Sequence, residues 1–78
     1  MISREDVLSE LENELDLMLA DVPESVSQGT RNAIRAEALG YARRVVNSLS
    51  NEELQSEGAR QRFLLTTLRD AERRMRGF

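Results

Sequence analysis

Glu10 and Glu14, and beside them Glu12 and Asp16, stand one helical turn apart in the stretch ELENELDL. Carboxylates at that spacing leave a helix on one side, where a pair can hold a hard cation or divide into a general acid and a general base. Neither chemistry is developed further along the chain. No calcium-loop pattern accompanies the acids, and each has an ordinary role on a solvated helix face. The rest of the catalytic inventory is equally thin. There is no histidine, no cysteine and a single tyrosine, and neither a glycine-rich phosphate loop nor a nucleophile elbow. We therefore expect no enzyme, no metal and no cofactor.

The other residues with chemistry to offer are arginines. Six lie in the last twenty positions, ARQRFLLTTLRDAERRMRGF, of a chain with 11 basic and 14 acidic residues and a net charge of −3. On a helix, at about 100° per residue, Arg62, Arg69, Arg73 and Arg76 fall within about 60° of one another. Each guanidinium presents a planar fork that pairs with carboxylate or phosphate. Asp70 is in reach of Arg73 or Arg74, and Glu72 of Arg76, each exposed pair contributing only a few tenths of a kcal/mol. The stripe serves as a solvated face, as a holder of an acidic protein surface, or as a phosphate contact. The phosphate reading ranks lowest: the isoelectric point is about 4.9, no aromatic residue is interleaved with the arginines, and no helix-turn-helix pattern precedes them. All 11 basic residues are arginine, for which a coding bias is the simplest account.

These groups need a scaffold, and length limits it. Seventy-eight residues make one domain with a thin core, because so short a chain buries only roughly 60% of its unfolded surface. Association with a second copy would extend that core. Without cysteine there is no disulfide or zinc thiolate to staple it, which fits a cytoplasmic setting. No apolar run approaches the roughly 20 residues of a membrane span, and MISREDVLSELENELDL is too acidic for a targeting peptide. Residues 1–21 hold one arginine and seven acids, whereas 59–78 hold six arginines and two acids. An acidic head and a basic tail either attract each other inside the fold or face different partners.

One proline, four glycines and an abundance of Leu, Ala, Glu and Arg predict an all-α fold in a single domain over 1–78. The expected architecture is a small three-helix bundle, or a four-helix one, of antiparallel helices with short connections. Helix 1 spans about 4–20. Ser3 with Asp6 caps it, Leu8, Leu11, Leu15, Met18 and Val22 form its seam with Val7 and Leu19 as flanks, and Pro23 ends it. Helix 2, about 28–49, begins near Ser27 or Thr30 and buries a broad arc of Ile34, Ala38, Leu39, Tyr41, Ala42, Val45, Val46 and Leu49. In LSNEEL, Ser50 and Glu53 make a capping box and Leu49 and Leu54 its hydrophobic staple, so the chain turns at Ser50. Helix 3 then runs over about 51–76, with Leu64, Leu68, Ala71, Met75 and Phe78 as its seam. Unbroken, it would be about 39 Å long against about 25 Å for helix 1. Ser56 and Gly58 offer a break near 56–58 that would bring the lengths together.

Three further features concern surfaces. Gly29, Ala33, Ala36 and Gly40 form a small-residue strip opposite the arc of helix 2; alanines suit an exposed helix face in any case, but glycine inside a helix costs roughly 0.5–1 kcal/mol relative to alanine, so Gly40 offers a close helix contact as the other reading. Leu17 lies about 180° from Leu8 and, with Leu65 and Phe63 at the edges of helix 3, leaves more apolar surface than one layer covers. Arg31 and Arg35 sit in the arc, laying their stems over apolar surface or pairing with Glu12 or Asp16. We expect a non-catalytic protein-binding module, a small regulator, inhibitor or adaptor of bacterial or phage type, and a homodimer that does not engage membranes. Glu10, Glu14, Leu17, Arg62, Arg69, Arg73 and Arg76 would face a partner protein, and Leu17, Ala33, Ala36 and Gly40 the dimer contact. The alternative is a nucleic-acid-associated protein with Arg62, Arg69, Arg73, Arg74 and Arg76 on phosphates; an assembly subunit is a third reading.

Overall fold

A computed structural model of the chain describes residues 1–76. Among these it contains no strand and four helices: α1 (Arg4–Ala20), α2 (Gln28–Ser48), α3 (Asn51–Gln55) and α4 (Glu57–Arg76). The fold is all-α, and no helix among the described residues is long and apolar enough to cross a membrane.

Serines open all four helices, by the same local chemistry: a side-chain oxygen satisfies a backbone N–H that has no partner one turn back. Ser3 Oγ accepts from the Asp6 N–H at 3.1 Å while the Asp6 carboxylate accepts from the Ser3 N–H at 3.0 Å. Ser50 and Glu53 exchange the same two bonds at 3.1 and 3.0 Å. The backbone donors of Ser3 and Ser50 hold the Asp6 and Glu53 carboxyls below the usual carboxylate range, because they favour the charged form. Ser27 Oγ accepts from Thr30 N–H at 3.1 Å, which sets the start of α2. Ser56 acts twice. Its N–H donates to Glu53 O at 3.1 Å and closes α3, and its Oγ accepts from Ala59 N–H at 3.3 Å and opens α4. The break therefore falls at Ser56, with ψ at 117°, and Gly58 lies inside α4. Ser50→Ala is expected to cost about 1 kcal/mol, read as a lower urea midpoint. An unchanged midpoint would mean that the chain reversal does not depend on this cap.

The core is built from rows of four-residue spacing: Val7, Leu11, Leu15 and Leu19 in α1; Ile34, Ala38, Ala42 and Val46 in α2; Phe63, Thr67, Ala71 and Met75 in α4. Such a row winds about 40° round its helix at each step, so each helix turns from one neighbour towards the other along its length. The buried side chains gather in two clusters. Val7, Leu11, Ala42, Val46, Leu54, Phe63 and Leu64 form the first, Leu15, Leu19, Ile34, Ala38, Ala71 and Met75 the second, and Leu68 packs against both. Thr67 stands between the clusters on the α4 row. It is 2% exposed, and its hydroxyl donates to Phe63 O at 2.9 Å, which satisfies a polar group that would otherwise destabilise the core.

Several expectations about faces need correction. In α1 the expected flanks Val7 and Leu19 are buried, whereas Leu8, Met18 and Val22 of the expected seam are only half-buried. A seam of alternating threes and fours faces one neighbour along a straight line, but α1 packs against both α2 and α4. In α2, Tyr41 is 42% exposed rather than part of the arc. In α4, Phe63 is core rather than edge, while Leu65 is exposed as expected. Phe78, expected to end the α4 seam, lies outside the described residues.

Polar contacts between elements fix which ends meet. Arg4, at the start of α1, donates to Val46 O near the end of α2. Arg74, near the end of α4, pairs with Glu37 in the first half of α2. Leu54 of α3 fills the first cluster. Next to it the Gln55 side chain exchanges two bonds with the Ile2 backbone, accepting at 3.0 Å and donating at 2.7 Å. The result is a rod with extents of 41 × 18 × 17 Å.

Candidate functional site

The acids of α1 divide into two sets. Glu12 and Asp16 face α2, where Arg35 donates to them at 2.5 and 2.8 Å. Hydrogen bonds from Arg35 to Asp16 and then Glu12 make its guanidinium harder still to deprotonate. This is one of the two alternatives open to Arg35; Arg31 instead donates to the carbonyls of Pro23 at 3.2 Å and Val22 at 3.4 Å, the first of which also accepts from the Val26 N–H at 3.0 Å. Glu10, Glu14 and Leu17 lie on the outer side, exposed, and Leu17 is 65% exposed. Among the described residues no three side chains of metal-ligating type gather together.

The arginines expected as one stripe point three ways. Arg62 donates to Gly58 O at 3.4 Å on its own helix. Arg76 pairs with Glu72 at 2.6 Å and borders a hollow shared with Met18, Val22 and Pro23. Arg69 and Arg73 turn to the opposite flank of α4, towards α2. There, with Arg74, Thr66 and Asp70, they line a groove whose far wall is Tyr41. Through Tyr41 and Arg74 the groove continues into a second hollow lined by Ala36, Glu37, Gly40 and Arg44. Both acids of this surface are engaged by Arg74, Glu37 directly and Asp70 at 3.3 Å. Arg44, Arg69 and Arg73 have no carboxylate at ion-pair distance among the described residues. Four guanidinium groups thus stand against two carboxylates, in a chain whose net charge is −3.

Arg44 and Tyr41 belong to this surface, although the sequence marks no role for Arg44 and its periodicity puts Tyr41 in the buried arc. The available signal was their adjacency to Gly40 on the margin of the arc, where a phenol with one polar end is suited to the boundary between apolar and wet surroundings. Tyr41 also places an aromatic face among the arginines, which the order of residues along α4 alone does not provide.

Ala36 and Gly40 form the floor of the second hollow, with Ala33 and Gly29 exposed on the same helix. A Cβ added at Gly40 would meet nothing within 4 Å, so no contact within the chain requires the glycine there. Within the chain, the close approach of α2 to its neighbours is made by the opposite side of the helix, where Ala38 and Ala42 are buried. Gly40→Ala is accordingly expected to stabilise the chain by about 0.5–1 kcal/mol. Urea unfolding at low micromolar concentration checks this, and a lowered midpoint would refute the open floor.

The groove combines a small-residue floor, one aromatic wall and a guanidinium rim on rigid helices. Its guanidinium groups have the geometry to pair with carboxylate or phosphate through forked hydrogen bonds. No protein family, curated protein or solved structure matches the chain.

Proposed function

We propose that the chain is a non-catalytic protein-binding module, an antiparallel helical bundle of regulator, inhibitor or adaptor type. It takes an acidic segment of a partner protein in the groove between α2 and α4. The observation that carries this reading is the surplus of guanidinium there: Arg44, Arg69 and Arg73, without carboxylate partners among the described residues, surround Tyr41 above the floor of Ala36 and Gly40. Guanidinium groups already solvated and uncommitted lose little on meeting carboxylates, and they steer an acidic partner during approach.

One observation favours the nucleic-acid reading. Tyr41 offers a stacking face beside Arg69 and Arg73, the pairing that single strands exploit. Against it stand the acidic outer face of α1 and a net charge of −3, which repel a phosphate backbone beyond the groove.

The double variant Arg69→Glu with Arg73→Glu separates these readings. It should keep its helical circular dichroism and melting curve, since both residues are exposed. As bait in an extract of the native host it should lose the proteins that the parent chain retains. Fluorescence polarisation with random duplex and single strands should show no submicromolar binding at about 150 mM salt. Submicromolar binding abolished by the two substitutions would put nucleic acid in place of the protein partner, and undiminished capture by the double variant would remove the groove from the function.

A further inference from the structure

The outer face of α1 has the chemistry that the groove lacks. Glu10, Glu14 and Leu17 lie within about 60° of one another at about 100° per residue, all exposed, with no ion pair to either acid among the described residues. This face carries a leucine flanked by carboxylates. The groove carries an apolar floor at Ala36 and Gly40 beside Tyr41, rimmed by Arg44, Arg69 and Arg73. Leucine over the floor and carboxylates at the rim would satisfy both surfaces at once.

Within one copy the two cannot meet. α1 turns Val7, Leu11, Leu15 and Leu19 inwards; Leu17 and Glu10 lie about 140° and about 120° from the middle of that row and Glu14 about 80° from it at about 100° per residue, so Leu17 and Glu10 point outwards and Glu14 flanks them. The groove is lined by α2 and α4 alone and opens away from α1. We infer that the α2–α4 groove receives the outer face of α1 from a second copy of this chain, so that copies join head to tail. This rests on the groove reading above and names its occupant. Surfaces on opposite sides of a molecule cannot both enter one two-fold contact. The geometry therefore replaces the closed homodimer expected from the sequence with a heterologous assembly, extending as a chain or closing as a ring. It also gives the two halves of the expected dimer contact different roles, Leu17 as the inserted group and Ala36 with Gly40 as its seat. Contacts between exposed charges make such an association sensitive to salt.

The test uses the full chain and two neutralised variants, one with Glu10→Gln, Glu14→Gln and Leu17→Gln, the other with Arg69→Gln and Arg73→Gln. In sedimentation equilibrium at low salt the parent chain should rise past twice its 8.9 kDa mass as concentration increases, and fall back towards the monomer at high salt. Each variant alone should stay monomeric. Their equimolar mixture should stop at a one-to-one pair, because only one intact face and one intact groove remain. Three results would overturn the inference: a parent chain monomeric at high micromolar concentration, a parent chain that halts at a dimer retained by either variant, or a mixture that does not associate. The underlying reading fails separately. If the parent chain stays monomeric while Arg69 and Arg73 still hold a foreign protein, the inference falls and the groove stands. If neither occurs, both fall.

Discussion

Leu11→Ala is expected to cost about 3 kcal/mol, within the about 2–5 kcal/mol that truncating a buried leucine costs through lost transfer energy and the cavity left behind. Leu11 is 0% exposed and packs with Val7, Ala42, Val46, Leu54, Phe63 and Leu64, so side chains from all four helices border the space it would leave. For a chain of this length, total stability is on the order of 4–12 kcal/mol, and about 3 kcal/mol lowers the melting midpoint by about 12–24 °C. Leu17→Ala makes the same chemical change six positions away on the outer side and should stay within about 0.5 kcal/mol. Thermal melts followed by circular dichroism compare the two. Equal midpoints would contradict the orientation of α1.

Ala42→Leu is expected to destabilise by about 1–3 kcal/mol, by overpacking rather than by a void. Ala42 is fully buried in the first cluster, on the face where α2 approaches its neighbours through alanines at 38 and 42. A leucine there must push helices apart or force a strained rotamer. Urea unfolding should show the lower midpoint with helical content largely kept. Gly40→Ala, two residues away and with open space around the added methyl, changes stability in the opposite sense. An Ala42→Leu chain as stable as the parent would mean that the alanine row does not set the spacing of the helices.

Local chemistry was readable along the chain, and the sharing of faces was not. Ser3 and Ser50 announced their helices because a capping box needs only residues three positions apart, and Pro23 stopped α1 by its own covalent structure. The pairing of Arg35 with Glu12 and Asp16 was one of two alternatives that the sequence left open, the other being a stem laid over apolar surface. Val7, Leu19, Tyr41 and Phe63 were misplaced for one reason: a periodic pattern gives the width of an apolar face, but only the third helix decides which margin of it is covered. Thr67 escaped notice because its polarity argues for exposure, and the bond to Phe63 O that permits its burial is a property of the folded backbone. The groove was hidden more deeply. Arg69 and Arg73 share a face with Arg62 and Arg76 on a bare helix, and it is α2, through Tyr41 and Arg44, that draws two of the four apart from the others.

The division of the core into two clusters makes the resistance of this chain to opening unequal along its length. Among the described residues Leu68 alone packs against both, an arrangement that favours opening of the two ends as separate cooperative units. The first is clasped by α3 and by the bonds between Gln55 and Ile2. The second, around Leu15, Ile34 and Met75, is tied instead by exposed ion pairs, Arg35 to Glu12 and Asp16 and Arg74 to Glu37, and it is the one that underlies Leu17, Ala36, Gly40 and Arg73. Salt screens exposed ion pairs but not a cap or a packed leucine, so rising ionic strength loosens the end beneath the groove while the end clasped by Gln55 and Ile2 keeps its hold.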